Sequence, residues 1–169
     1  MQAPPVPGDA ELAALVESLA RELGARGWKL ATAESCTGGW IAKCCTDRAG
    51  SSAWFESGVV SYSNRAKRQL LGVEAGVLEA AGAVSRPVAV QMADGARRRA
   101  GVDAALAVTG IAGPDGGSPD KPVGTVWFAW AVGSSPVDAE QALFSGDREA
   151  VRRYTVAHAL RGLLDRLER

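Results

Sequence analysis

Histidine is almost absent from this chain: His158 is the only one among 169 residues. That scarcity argues against a Ser-His-Asp triad, because His158 falls in a C-terminal helical pattern and no G-x-S-x-G turn accompanies it. Its expected role is packing or helix surface. One histidine and scattered acids make no ligand cluster, so neither a metal nor another cofactor is expected. Cysteine is scarce too: Cys36, Cys44 and Cys45 form neither an even set nor a zinc spacing, which fits a reducing cytoplasm better than a disulfide framework. Neither sign of charge is in excess, with 19 Lys plus Arg against 19 Asp plus Glu. A chain without a basic surplus is not expected to bind nucleic acid. No apolar run approaches the roughly 20 residues of a membrane span, so no membrane association is expected. The start, MQAPPVPGDAELAALVESLAREL, has no basic stretch followed by an apolar one, and a signal peptide is not expected either.

What is present is a chain nearly half apolar and rich in glycine, long enough for one domain with a real core. Residues 1–8, with three prolines and no periodicity, are expected to be a loose leader, and residues 9–169 a single domain. Asp9 is expected to cap a helix whose Leu12, Leu15, Val16, Leu19 and Leu23 share one face, with Gly27 as its stop. Strands are expected at 28–34, 55–63, 103–110 and 123–132, with 139–146 as a hairpin neighbour of the last. Between them, helices are expected from Trp40, through 64–72 and 74–82, from Ser85 to Gly101, and after Asp147. Strands alternating with helices make the class α/β, with helices against a mixed sheet.

Three loops after expected strands are dense in hydroxyls and glycines: ESCTGG (34–39), TGIAGPDGG (109–117) and SGDR (145–148). In open α/β sheets ligands commonly sit where strand ends feed such loops. Gly38 and Gly39 would let backbone N–H groups approach an anion at a helix start. Cys36 reads as a small buried cysteine, since a cysteine nucleophile wants a base beside it. That leaves serine with lysine and tyrosine, in the stretch GSSAWFESGVVSYSNRAK (50–67). A lysine near its ordinary pKa of about 10.4 is charged at neutral pH; desolvation lowers that value and makes a general base of it. Lys67 would then deprotonate Ser52, directly or through Tyr62, provided the fold brings them together.

Taken together, AESCTGGWIAK, SSAWFESGVVSYSNRAK, TGIAGPDGGSPDKPVGTVWFA and FSGDREAVRR, in that order, make the chain resemble the C-terminal domain of the competence/damage-inducible protein CinA. The resemblance runs from about residue 10 to the end. It implies a three-layer α/β/α sandwich that hydrolyses the carboxamide of nicotinamide mononucleotide, releasing ammonia in bacterial pyridine-nucleotide salvage, in a cytoplasmic homo-oligomer. It also implies a serine amidase working without histidine, with Ser52 as nucleophile and Lys67 and Tyr62 handling the proton. Ser35 is the alternative nucleophile. Backbone N–H groups around Thr109, Gly110 and Ile111, or beside Ser52, are expected to hold the oxyanion, and either the Gly38–Gly39 loop or Arg148 the phosphate. The rival readings are a nucleotide-binding regulatory module and an amidase for another carboxamide.

Overall fold

The computed structural model describes residues 3–169. In chain order the elements are α1 (Asp9–Arg26), β1 (Leu30–Glu34), α2 (Trp40–Asp47), β2 (Phe55–Val60), α3 (Asn64–Leu71), α4 (Ala75–Ala81), α5 (Arg86–Ala100), β3 (Ala104–Gly110), β4 (Thr125–Val132), β5 (Asp138–Leu143) and α6 (Arg148–Leu167). A single 3₁₀ turn, Ser51–Ala53, precedes β2. The sheet order is β2-β1-β3-β4-β5. β2, β1 and β3 are parallel, and β4 and β5 continue as antiparallel hairpin neighbours. Helices cover both faces, which is the three-layer α/β/α arrangement.

The two faces differ in thickness because side chains alternate along a strand. One face carries Leu30, Leu106, Val108, Val126, Phe128 and Trp130, packed against α1, α2 and α6. The other is paved with alanine: Ala31, Ala33, Ala105, Ala107, Ala129 and Ala131. Side chains that small let α5 lie close to the sheet, where Val88, Ala89, Met92, Ala93 and Ala96 complete the layer. Gly95 continues this economy. A Cβ there would lie 1.9 Å from the carbonyl oxygen of Leu71, so α5 and the end of α3 meet backbone to backbone.

Several boundaries differ from expectation for local reasons. Gly8, not Asp9, is the residue preceding the first helical one, and the Asp9 carboxylate pairs instead with Arg153 at 2.7 Å. β2 stops at Val60 because Ser61 and Tyr62 turn their carbonyls toward Lys67. The expected loose leader is partly fastened. Pro7 is buried and its carbonyl accepts from Arg153, and that of Pro4 accepts from the Tyr154 hydroxyl at 2.5 Å. Met1 and Gln2 of that leader lie outside the described residues. Among the described residues no helix is long and apolar enough to cross a membrane.

Gly95→Ala tests the close approach of α5. Alanine is ordinarily favoured over glycine inside a helix by up to about 1 kcal/mol. Here the clash with Leu71 should reverse the sign and cost about 1–3 kcal/mol, read as a lower urea midpoint with an unchanged m-value.

Candidate active site

Parallel pairing of β1 with β2 and β3 brings the C-terminal ends of the three strands together. Glu34 stands beside Val60 on one side and Val108 on the other, so the chain leaving β1 at Ser35 meets the chain leaving β2 at Ser61. Backbone bonds from Ser35 N to Val108 O (3.1 Å) and from Ser61 N to Glu34 O (2.8 Å) extend the sheet into these turns. Ser63 then caps α3 by accepting from Ala66 N, and the first turn of that helix carries Lys67 back under the β1 loop.

The Lys67 side chain is buried, 1% exposed, and has no carboxylate partner among the described residues. Its Nζ lies 2.8 Å from Ser61 O, 3.2 Å from Tyr62 O and 2.9 Å from Ser35 Oγ. Two of these neighbours are carbonyls and can only accept. An uncharged amine has two N–H groups and one lone pair. With both hydrogens directed at the carbonyls, the lone pair is left for Ser35 Oγ. Desolvation favours the uncharged form and lowers the Lys67 pKa to about 8. The arrangement is a serine hydroxyl in hydrogen-bond contact with a buried amine whose pKa is lowered.

This corrects the expected pairing of Lys67 with Ser52. Ser52 is exposed in the 3₁₀ turn before β2, whereas Lys67 follows the strand's other end. Six strand residues at ~3.3 Å each separate the two ends by roughly 20 Å. The Tyr62 hydroxyl, expected to pass on the proton, makes no hydrogen bond with Lys67 among the described residues. Lys67 meets the Tyr62 carbonyl, while the exposed ring places its hydroxyl 3.4 Å from an Arg148 nitrogen.

Ser35, Cys36, Tyr62, Lys67, Thr109, Gly110 and Arg148 line one cavity of about 200 Å³, with Ala83, Val84 and Ala112 as its apolar wall. Thr109 Oγ1 donates to Ala83 O at 2.9 Å, fixing the far wall. Gly110 is a glycine by necessity, since a Cβ would fall 2.7 Å from Val126 Cγ2. Arg148 donates to Gly113 O at 2.7 Å and forms no ion pair among the described residues, so its charge stays uncompensated at the mouth. No acidic residue lines this cavity. Burial holds the Cys36 thiol up at about 12, which leaves it unionised and inert.

Gly38 and Gly39 do not line this cavity, and the helix start they open is already filled by an acidic side chain of the protein itself. Glu34, 1% exposed, folds its carboxylate over the first turn of α2, accepting from Thr37 Oγ1 (2.6 Å), Ile41 N (2.8 Å) and Ala42 N (3.0 Å). Left-handed backbone at both glycines (φ +60° and +98°) makes the tight turn that allows it. Burial raises the Glu34 pKa, and the donations from Thr37, Ala42 and Ile41 pull it back toward the charged form. The expected phosphate cradle is therefore occupied by the protein's own carboxylate. The expected oxyanion donor Ile111 N is likewise committed, to Thr125 O at 2.9 Å. In contrast, the amide N–H groups of Cys36 and Thr37 have no acceptor among the described residues.

A larger cavity of about 510 Å³ lies on the other side of the β1 loop, lined by Trp40, Lys43, Arg152 and Arg153 among others. Its cations are already engaged. Lys43 pairs with Asp47, Arg153 with Asp9 and Glu149, and Arg152 with backbone carbonyls.

Sequence reasoning missed Glu34, Ser61 and Arg152. Glu34 had one visible signal, an acid closing an otherwise uncharged strand just before a helix. Arg152 had another, its i+4 spacing from Arg148 on the same helix face.

A family model described as the CinA C-terminal domain matches residues 12–167. Over 155 residues the chain is 56% identical to the nicotinamide-nucleotide amidohydrolase PncC of Escherichia coli strain K12, covering 92% of this chain and 94% of that protein. The solved competence/damage inducible protein CihA from Agrobacterium tumefaciens matches with a TM-score of 0.91 at 42% identity, covering 99% of this chain and 100% of that one. The competence damage-inducible protein A (ComA) from Klebsiella pneumoniae matches with a TM-score of 0.89, also at 42% identity, over 93% and 97% of the two chains.

The Glu34 cap yields a stability prediction. In Glu34→Gln one acceptor oxygen becomes an NH₂ group facing backbone donors, and the unfolding free energy should fall by about 1–3 kcal/mol. Chemical denaturation at neutral pH checks this; an unchanged midpoint would mean the carboxylate does not hold the turn.

Proposed function

Because the chain belongs to the CinA C-terminal domain family, we propose that it is a nicotinamide-nucleotide amidohydrolase that uses Ser35 as nucleophile and Lys67 as general base. The observation that carries this reading is the 2.9 Å contact between Ser35 Oγ and a buried lysine amine with no counter-ion. Lys67 takes the hydroxyl proton as Ser35 Oγ attacks the carboxamide carbon. The same amine, now protonated, gives that proton to the departing nitrogen, and ammonia leaves an ester on Ser35. Water, deprotonated by Lys67, attacks the ester and releases the carboxylic acid.

Nicotinamide mononucleotide suits the site by size and charge. The cavity of about 200 Å³ takes the pyridine carboxamide, and the sugar and phosphate extend to the mouth. There Arg148 offers an uncompensated cation to the phosphate, and the exposed Tyr62 ring offers a face to the cationic pyridinium. A lining without carboxylates favours an anionic ligand.

Ammonia release from nicotinamide mononucleotide tests the assignment. Ser35→Ala should abolish turnover and Ser52→Ala should leave it near the wild-type value. Loss in Ser52→Ala alone would overturn the choice of nucleophile, and no release by wild type would leave a nucleotide-binding site without chemistry. Arg148→Ala should raise KM for the nucleotide by about tenfold or more, in line with loss of a charge-assisted contact worth about 1.5–3 kcal/mol, with less effect on the unphosphorylated nucleoside.

The pH profile follows from the lysine. Its neutral form is the active one, so kcat/KM should rise with pH through about 8, the lowered Lys67 pKa. At pH 7 roughly a tenth of the enzyme is competent, against fewer than about one in a thousand for an unperturbed lysine. A rate flat from mildly acidic to alkaline pH would exclude Lys67 as the base.

A further inference from the structure

Arg152 stands outside the small cavity, on α6 one turn after Arg148, and reaches the Ser35 loop from behind. Its Nε donates to Cys36 O at 3.1 Å and its Nη2 to Thr37 O at 2.9 Å. The guanidinium lies over the Trp40 ring, 5.2 Å from its centroid, and Arg153 lies 4.9 Å from the same centroid. No carboxylate pairs with Arg152 among the described residues. A half-buried charge is thus committed to the two peptide carbonyls that follow Ser35.

Peptide geometry gives that contact a consequence. In a trans peptide the C=O and the N–H point in opposite directions. Holding Cys36 O toward Arg152 turns the Thr37 N–H away from it. Holding Thr37 O does the same to the Gly38 N–H, which closes the turn onto Ser35 O at 3.0 Å. That bond fixes the Ser35 carbonyl and, through the same peptide unit, the direction of the Cys36 N–H. Neither the Cys36 nor the Thr37 amide has a protein acceptor among the described residues, and Cys36 lines the small cavity. Attack by Ser35 creates a negative oxygen, and preorganised N–H donors next to the nucleophile stabilise such an oxygen most effectively.

We propose that Arg152 is a positioning residue for the reaction: by gripping the Cys36 and Thr37 carbonyls it presents the free N–H groups of Cys36 and Thr37 to the oxyanion. This rests on the amidohydrolase reading above. The fork is needed because two nitrogens of one rigid plane serve two successive carbonyls, which a lysine ammonium on a single stem reproduces poorly. Arg152 itself does not line the cavity shared by Ser35 and Lys67.

The test measures kcat and KM for ammonia release from nicotinamide mononucleotide across pH, for wild type, Arg152→Ala and Arg152→Lys. Each is assayed with and without added guanidinium at a non-denaturing concentration, and melting curves establish that each is folded. The expected result is a fall in kcat of about 10²-fold with KM within about twofold and the acid limb of the profile unmoved, because Lys67 is untouched. Guanidinium should restore part of the rate of Arg152→Ala, and Arg152→Lys should remain impaired. A folded variant with wild-type kcat would overturn the proposal, as would a loss confined to KM or a displaced acid limb. If Arg152→Ala does not fold, Arg152→Lys, which keeps the stem and the charge, decides by the same criteria. Wild type without turnover would defeat the amidohydrolase reading and this inference together; active wild type with active Arg152 variants would defeat this inference alone.

Discussion

Placing the Lys67 amine out of water with no carboxylate beside it is unfavourable, and only the surrounding fold keeps it there. A nearby acid would relieve the cost and raise the pKa, favouring the charged ammonium. The protein instead supplies two backbone carbonyls, from Ser61 and Tyr62, which accept hydrogen bonds without carrying a full charge. Those carbonyls become available because β2 ends at Val60 and the chain turns before α3 begins. The end of a strand, the cap of a helix and the protonation state of a lysine are therefore one problem with one solution.

The β1 loop that faces this amine is restrained on every side. Glu34 grips the start of α2 from below, Arg152 holds two of the loop's carbonyls from α6, and β3 accepts its first amide at Val108. In the proposed reaction a serine aligned on a lysine within hydrogen-bond distance needs such support, since misplacement of about 1 Å is expensive in rate. Two buried or half-buried ionisable side chains, a carboxyl and a guanidinium, act here on backbone groups and not on each other. Each then orients peptide units, which an ion pair between them would not do.

Much of the architecture could be read from the residues alone. Leucine spacing marked α1, the apolar runs marked β3 and β4, and the glycines at 27, 72 and 101 marked helix ends; each signal is local, and the structure agrees. The site was harder, because the decisive contact joins residues 32 positions apart. Lys67 and Ser35 were both visible as chemistry, but hydroxyls occur in two loops and spacing does not say which loop lies nearer. Sheet order decides it. Once β1 and β2 are parallel and in register, Ser35 must emerge beside Ser61, and Ser52 must lie at the opposite end. Glu34 was hidden for a related reason: an acid is usually an exposed residue, and only the turn through Gly38 and Gly39 turns it into a cap.

The unequal thickness of the two sheet faces has a meaning for variation in this protein. Where Leu106, Phe128 and Trp130 meet α1 and α6, large apolar side chains can exchange volume with one another, since a gain at one position can be matched by a loss at the next. Opposite them, six alanines and Gly95 leave α5 less latitude, because at those positions nearly every change adds atoms and only a few larger neighbours, such as Val88 and Met92, could give volume back. The thin face joins the core of the sheet to the helix that follows the α3–α4 segment carrying Lys67. The freedom to drift is thus greater on one side of the sheet, and the tighter side is the one where α5 meets the end of α3, the helix that carries Lys67.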